Sequence, residues 1–144
     1  METSARTPAH LWIVGILSAL WNAFGCTDYT MTQTRNQAWL ASFPPEMMDY
    51  IGSFPAWAEA AWALGVWGGL TGSLLLLARS RHAVTAFAVS LAGLLGTTIY
   101  QFAIADTPAS MRTGGMIGMQ VVIWVVAIGL FLYARRVRDQ GVLR

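Results

Sequence analysis

Four apolar stretches, each long enough to cross a bilayer, occupy more than half of this 144-residue chain. They run from Leu11 to Thr27, Phe54 to Leu77, Ala83 to Ile104 and Gly115 to Tyr133. A spanning helix needs about 20 mostly apolar residues at 1.5 Å rise each, and no room is left for a fifth. The expected fold is therefore an all-α integral membrane protein. It is an antiparallel four-helix transmembrane bundle in one membrane domain, residues 1–144, with a short amphipathic outer loop over 28–53.

Charge narrows the class further. Only 11% of residues are charged and 56% are apolar, against about 25% charged in soluble domains. The net charge is +2, and no basic cluster is interleaved with aromatics, so nucleic acid is not an expected partner. Cys26 is the sole cysteine; it has no internal partner for a disulfide, which argues against a thiol-redox enzyme.

All nine cations are arginines, and their placement orients the chain. Arg6, Arg79, Arg81, Arg135, Arg136, Arg138 and Arg144 share one side if the helices alternate, leaving Arg35 and Arg112 on the other. Arginine excess marks the cytoplasmic face, so both termini are expected inside. The outer side then receives Asp28, Glu46, Asp49, Glu59 and Asp106, an acidic surface that attracts cations or basic partners. Residues 1–9, with Ser4, Thr7 and Pro8, read as a short polar tail. The first span reads as an uncleaved anchor, because Trp12, Trp21, Asn22 and Phe24 do not suit a signal peptide and its cleavage point.

The loop 28–53 carries its own pattern. Trp39, Leu40 and Phe43 fall on one side at helical spacing, Pro45 suits a first helical position, and Met47, Ile51 and Phe54 follow at four and three. Two short interfacial helices fit this pattern, either as a plain connector or as a lid over a cavity. The loop around Ser80 is short enough to make the second and third spans a tight hairpin. Their small residues fall into register: Ala58, Ala61, Gly65, Gly68 and Gly72 on one, Ala86, Ser90, Gly93, Thr97 and Tyr100 on the other. Such seams let backbones approach closely, which lipid cannot replace.

Polar residues that packing does not need form a second pattern. Ser18, Asn22, Cys26 and Tyr29 make a stripe on the first span; Glu59, Trp62, Val66, Gly69 and Ser73 make one on the second. Asn22, Glu59, Tyr100, Gln101 and Gln120 lie at similar depth in the outer half of the bilayer, with Asp28 at its edge. Ionisable groups at such depth are expensive and mark binding sites. The candidate ligand-binding set is thus Asn22, Asp28, Glu59, Trp62, Tyr100, Gln101 and Gln120, with Glu59 as the charge and Trp62 as an apolar wall. Mutual hydrogen bonding, or bonding to Arg112 and water, is the structural alternative. His10 and His82 lack further ligands, Met47, Met48, Met111, Met116 and Met119 lack a cluster with His or Cys, and no nucleophile–base pair or phosphate loop is present. No metal, cofactor or catalytic residue is expected, and the chain does not read as an enzyme.

The runs His10-Leu-Trp-Ile-Val-Gly, Leu20-Trp-Asn-Ala-Phe-Gly-Cys-Thr-Asp-Tyr-Thr-Met-Thr32, Phe54-Pro-Ala-Trp and Trp62-Ala-Leu-Gly-Val-Trp-Gly-Gly69 resemble a group of short, uncharacterised four-helix bacterial inner-membrane proteins. Some of these carry the automatic label "sugar transporter". DoxX-like proteins are similar in size and helix count. The resemblance implies a multi-pass place in the bacterial inner membrane and a small solute, for which Trp62, Asn22, Glu59 and Gln101 offer an aromatic platform with amides and a carboxylate. The expected function is permeation or binding of a small solute or cation by a homo-oligomer. A non-catalytic accessory subunit of a larger membrane complex is the alternative.

Overall fold

The computed structural model describes residues 6–144; residues 1–5 of the polar tail, Ser4 among them, lie outside the described residues. In chain order the helices are α1 (Ala9–Gln33), α2 (Gln37–Leu40), α3 (Pro45–Gly52), α4 (Ala56–Leu77), α5 (Ala83–Ile99) and α6 (Gly114–Asp139). A π-helical turn, Tyr100–Ile104, continues α5, and a 3-10 turn, Ala109–Met111, precedes α6. No strand occurs among the described residues. Four helices are long and apolar enough to cross a membrane: α1, α4, α5 with its π turn, and α6.

Helix α1 runs six residues past the end of its apolar stretch. The reason is local: the hydroxyls of Thr27, Thr30 and Thr34 donate to the carbonyls of Ala23, Cys26 and Thr30, each at 2.8 Å. Such back-bonding satisfies the polar side chains within the helix, so loss of hydrophobicity does not end it. What ends it is a left-handed residue, Arg35 (φ 54°), after which Asn36 N–H reaches back to Met31 O at 3.0 Å. Helix α4 stops the same way at Arg79 (φ 56°) with Ser80 bonded to Leu75 O, and α6 at Gly141 (φ 77°) with Val142 bonded to Val137 O. This is the Schellman closure. Only Gly141 enters it without the steric penalty of a Cβ, roughly 1 kcal/mol for the two arginines.

Helices α4 and α5 run in opposite directions and nearly touch along their small-residue seams. A Cβ on Gly93 would lie 2.5 Å from Ala61 O and 2.6 Å from Gly65 N, and one on Gly68 would lie 3.1 Å from Ser90 N. Ser90 Oγ uses this proximity to donate to Gly65 O at 2.6 Å. Helix α1 packs on the other face of α4, and here the two polar stripes meet. Asn22 Nδ2 donates to Ser73 Oγ (3.1 Å), Cys26 Sγ to Val66 O (3.2 Å), and Tyr29 stands edge-on to Trp62 with ring centroids 4.9 Å apart. Helix α6 leans on α5 less extensively, and no comparable α1–α6 contact closes the ring among the described residues.

Two packed clusters close the ends. At the end where α1 begins and α6 finishes, Leu11, Leu76, Phe87, Leu130, Ala134 and Val137 are buried together. The last residues fold back onto this cluster. Val142 and Leu143 are buried, Arg144 N–H bonds Arg79 O, and Arg81 N–H bonds Arg144 O. Arg79 also donates to Thr7 Oγ1 at 2.7 Å. At the loop end, Tyr50, Phe54, Ala58 and Tyr100 form a smaller aromatic cluster beneath α3.

Candidate functional site

Between these closed ends the four long helices surround a partly open cleft of about 360 Å³, within the usual range for small-molecule sites. Helix α1 contributes Trp21, Asn22, Phe24, Gly25 and Asp28; these recur at helical spacing beside the face that α1 buries on α4. Helix α4 contributes Trp62, Gly65, Val66 and Gly69; α5 contributes Phe87, Ser90, Leu94 and Thr97, and its π turn Gln101. Helix α6 supplies Met119, Gln120, Ile123, Val126, Ala127 and Leu130.

The chemistry is graded along the cleft. Phe87 and Leu130 floor it and also belong to the packed cluster at the terminal end. Its middle is aliphatic, with Val66, Leu94 and Ile123, and Trp62 stands nearer the loop end, edge-on to Tyr29. Asp28, Gln101 and Gln120 stand at the loop end. Gln120 Nε2 donates to Thr98 Oγ1 at 3.2 Å, as does Trp124 Nε1, while the Thr98 hydroxyl donates onward to Leu94 O at 2.7 Å. These bonds pin α6 to α5 and leave the Gln120 carbonyl oxygen as an acceptor. Asp28 Oδ1 accepts from Trp39 Nε1 at 3.0 Å, and the Trp39 ring packs on Phe24 at 6.1 Å between centroids. The loop helix α2 is thereby fastened to α1 at two residues that line the cleft. Deeper in, Asn22 Nδ2 bonds Ser18 O and Ser73 Oγ, and a Cβ on Gly69 would sit 2.9 Å from Asn22 Cγ. A glycine at 69 is what lets the amide lie flat against α4.

Five of the seven residues singled out from the sequence line this one cleft: Asn22, Asp28, Trp62, Gln101 and Gln120. The other two fall elsewhere. Tyr100 is buried in the loop-end cluster, edge-on to Phe54 (4.8 Å) and Trp57 (5.4 Å), with its hydroxyl directed at Ser53 O. Glu59 lies in the first turn of α4 and is absent from the cleft wall. The charge of the cleft is Asp28. A smaller adjoining pocket of about 110 Å³ shares Gln101 and Gln120 and adds Tyr50, Thr107 and Arg112. There Thr107 bonds both Tyr50 Oη (3.2 Å) and Gln101 O (2.8 Å), tying α3 to the π turn. Burial pushes the Tyr50 phenol up from its ordinary value; Tyr100 adds to the rise, while the Thr107 bond and Arg112 oppose it.

Sequence reading missed Trp21, Phe24 and the α6 wall. Trp21, Phe24, Gly25 and Asp28 follow at three, four and seven, a signal that was present beside the polar stripe. Helix α6 gave none, because it is apolar on every side from Met116 to Tyr133 apart from Gln120 and its glycines. Among the described residues no group of three His, Cys, Asp or Glu is placed to hold a metal ion. Comparison with protein families, with curated proteins and with solved structures gives no match.

Proposed function

We propose that this chain is a multi-pass membrane protein that binds a small amphiphilic molecule in the cleft walled by α1, α4, α5 and α6. One observation carries the reading: from floor to middle the cleft is mostly apolar, its Asn22 amide N–H and Ser90 hydroxyl already donated to Ser73 Oγ and Gly65 O, while unshared amide and carboxylate oxygens gather at its loop end. An amphiphile matches that gradient, whereas a sugar would leave its hydroxyls unpaired against Val66, Leu94 and Ile123.

The bilayer setting follows from size and surface. Helix α4 has 22 residues, about 33 Å, against a hydrocarbon core of about 30 Å. Ile13, Leu17, Leu20, Leu64 and Val125, none of them in the cleft wall, are exposed, which suits lipid rather than water. Seven arginines gather at the terminal end, so this end is assigned to the cytoplasm and the loop end to the outer side of a bacterial inner membrane. Permeation of a solute or cation would use the same cleft as its first station. It also requires the Leu11–Leu76–Phe87 cluster to part, or a second copy to complete the path.

The test is photolabelling in native-membrane nanodiscs with a diazirine-bearing long-chain alcohol, read by peptide mass spectrometry. Labelling concentrated around Val66, Leu94 and Ile123, and abolished by Ala127→Trp, is the expected result. Uniform labelling of the outward faces, unchanged by Ala127→Trp, would sink the reading. An accessory subunit is the second reading, favoured by α6, where a Cβ added to Gly114, Gly115, Gly118 or Gly129 would meet no atom within 4 Å. A fixed-ratio complex with a foreign membrane subunit in native mass spectra is its expected signature.

A further inference from the structure

Among the described residues, Asp28 is the only ionisable side chain that lines the cleft, and no arginine or histidine faces it there. Its Oδ1 accepts the Trp39 indole N–H, a neutral donor that leaves the negative charge uncompensated. Carboxylates held in apolar surroundings gain most from a cation that supplies both charge and hydrogen bonds or close contact. Phe24 lies one turn from it on α1, and Trp62 on α4 stands edge-on to the adjacent Tyr29 with centroids 4.9 Å apart, so two of the cleft's aromatic rings lie toward the same end. Ring faces attract ammonium groups, more so where water is excluded. The amide oxygens of Gln101 and Gln120 add acceptors at the same end.

We infer that the ligand of this cleft is a lipophilic ammonium: an alkylated amine whose charge rests on Asp28 and the aromatic rings, and whose apolar body runs toward Phe87 and Leu130. The inference rests on the amphiphile reading and names the ligand class for that site. Three alternatives are less well matched. An inorganic cation needs a shell of about six oxygens, while this cleft is mostly apolar. A fatty acid would set its carboxylate against Asp28. A neutral amphiphile would leave that charge unpaired. The loop end as a whole supports the choice, since Asp28, Glu46, Asp49, Glu59 and Asp106 face only Arg35 and Arg112 there; such a field concentrates cations at the mouth. The length also fits. Fourteen residues of α5 and its π turn separate Phe87 from Gln101, about 21 Å at 1.5 Å per residue, and 360 Å³ spread over that length is the girth of a single extended chain. Ammonium chemistry reaches such a site from two sources, a free lipophilic cation or a choline-type lipid headgroup.

The experiment measures binding to the full chain in nanodiscs of anionic and zwitterion-free lipid. The probes are decyltrimethylammonium, decylphosphocholine, decanol and decanoate. The expected order places an ammonium probe at least ~10-fold above decanol, with decanoate weakest. Asp28→Asn retains an acceptor for Trp39 and removes only the charge; it is expected to abolish that preference while leaving decanol binding within about threefold. Glu59→Gln, outside the cleft, is expected to keep the preference. Tighter decyltrimethylammonium assigns a free cation as the source, and tighter decylphosphocholine assigns a lipid headgroup. Decanol binding as well as the ammonium probes, or a preference lost in Glu59→Gln but kept in Asp28→Asn, overturns the inference and leaves the amphiphile site standing. Binding of none of the four removes the site itself.

Discussion

Substituting Gly93 by alanine tests the backbone-to-backbone approach of α4 and α5. The added methyl would lie 2.5 Å from Ala61 O, 2.6 Å from Gly65 N and 3.0 Å from Leu64 Cβ. Comfortable contacts of this kind lie at about 3.5–4.0 Å, so α4 and α5 must part locally by roughly 1 Å. The partners at 2.5 and 2.6 Å are backbone atoms, so a rotamer change cannot relieve the clash. Overpacking of this sort costs about 1–3 kcal/mol. Separation also stretches the 2.6 Å bond from Ser90 Oγ to Gly65 O, worth about 0.6 kcal/mol in a membrane protein. Against these stands the helix-propensity gain of alanine over glycine, about 1 kcal/mol. The two smaller terms nearly cancel, leaving a net loss of about 1–3 kcal/mol. Gly118 on α6 is the internal control, since a Cβ there meets nothing within 4 Å; Gly118→Ala should be neutral or gain up to about 1 kcal/mol. Reversible unfolding in mixed dodecyl maltoside and dodecyl sulfate micelles, followed by circular dichroism, gives both values. Equal stability of Gly93→Ala and Gly118→Ala would refute the close approach of α4 and α5.

Leu143 is buried beside the α4–α5 turn, so Leu143→Ala should cost about 2 kcal/mol in the same micelles, while exposed Arg144→Ala should cost nothing measurable. A loss in Leu143→Ala below about 0.5 kcal/mol would mean that the chain end is not docked. The loop-end cap should weaken in alkali. The Tyr50 phenol is raised above its ordinary value by burial, so the folded state favours the neutral form. That contribution is complete below pH of about 10 and is lost as pH rises through the higher folded value. A phenolate absorbance titration of the wild type minus Tyr50→Phe should therefore show a midpoint above about 10, with loop proteolysis rising in step. A midpoint at or below that value would contradict the packing of Tyr50 against Thr107 and Tyr100.

Much of the architecture was legible from residue order because the governing interactions are local or short-range. Span length, the α4–α5 hairpin, Pro45 at a first helical position and the small-residue seams all follow from spacing along one or two helices. The polar stripes of α1 and α4 were legible too, but their meaning was not. Asn22 lies in the α1–α4 interface and on the cleft wall at once, a double role that depends on how far α1 is rotated about its axis. From residue order Glu59 was the charge of the site and Asp28 stood at its edge; Glu59 shares its α4 stripe with Trp62, Val66 and Gly69 but sits in the first turn, beyond the cleft, while Asp28 lines it.

What the amino-acid order determined by itself was the set of membrane-length helices, their small-residue contact faces and the end of the molecule that carries the arginines. Hydrophobicity, helical period and side-chain size act along the chain and need no partner to be read. Tertiary structure alone decided the cleft, the α6 face that closes it, the docking of Val142 and Leu143, and the choice of Asp28 as its single charge. A helix that is apolar all round has no polar face to say which side is turned inward. In such helices orientation is set by a few close contacts between distant residues, here Thr98 with Gln120 and Trp124, and Asn22 with Ser73 over Gly69.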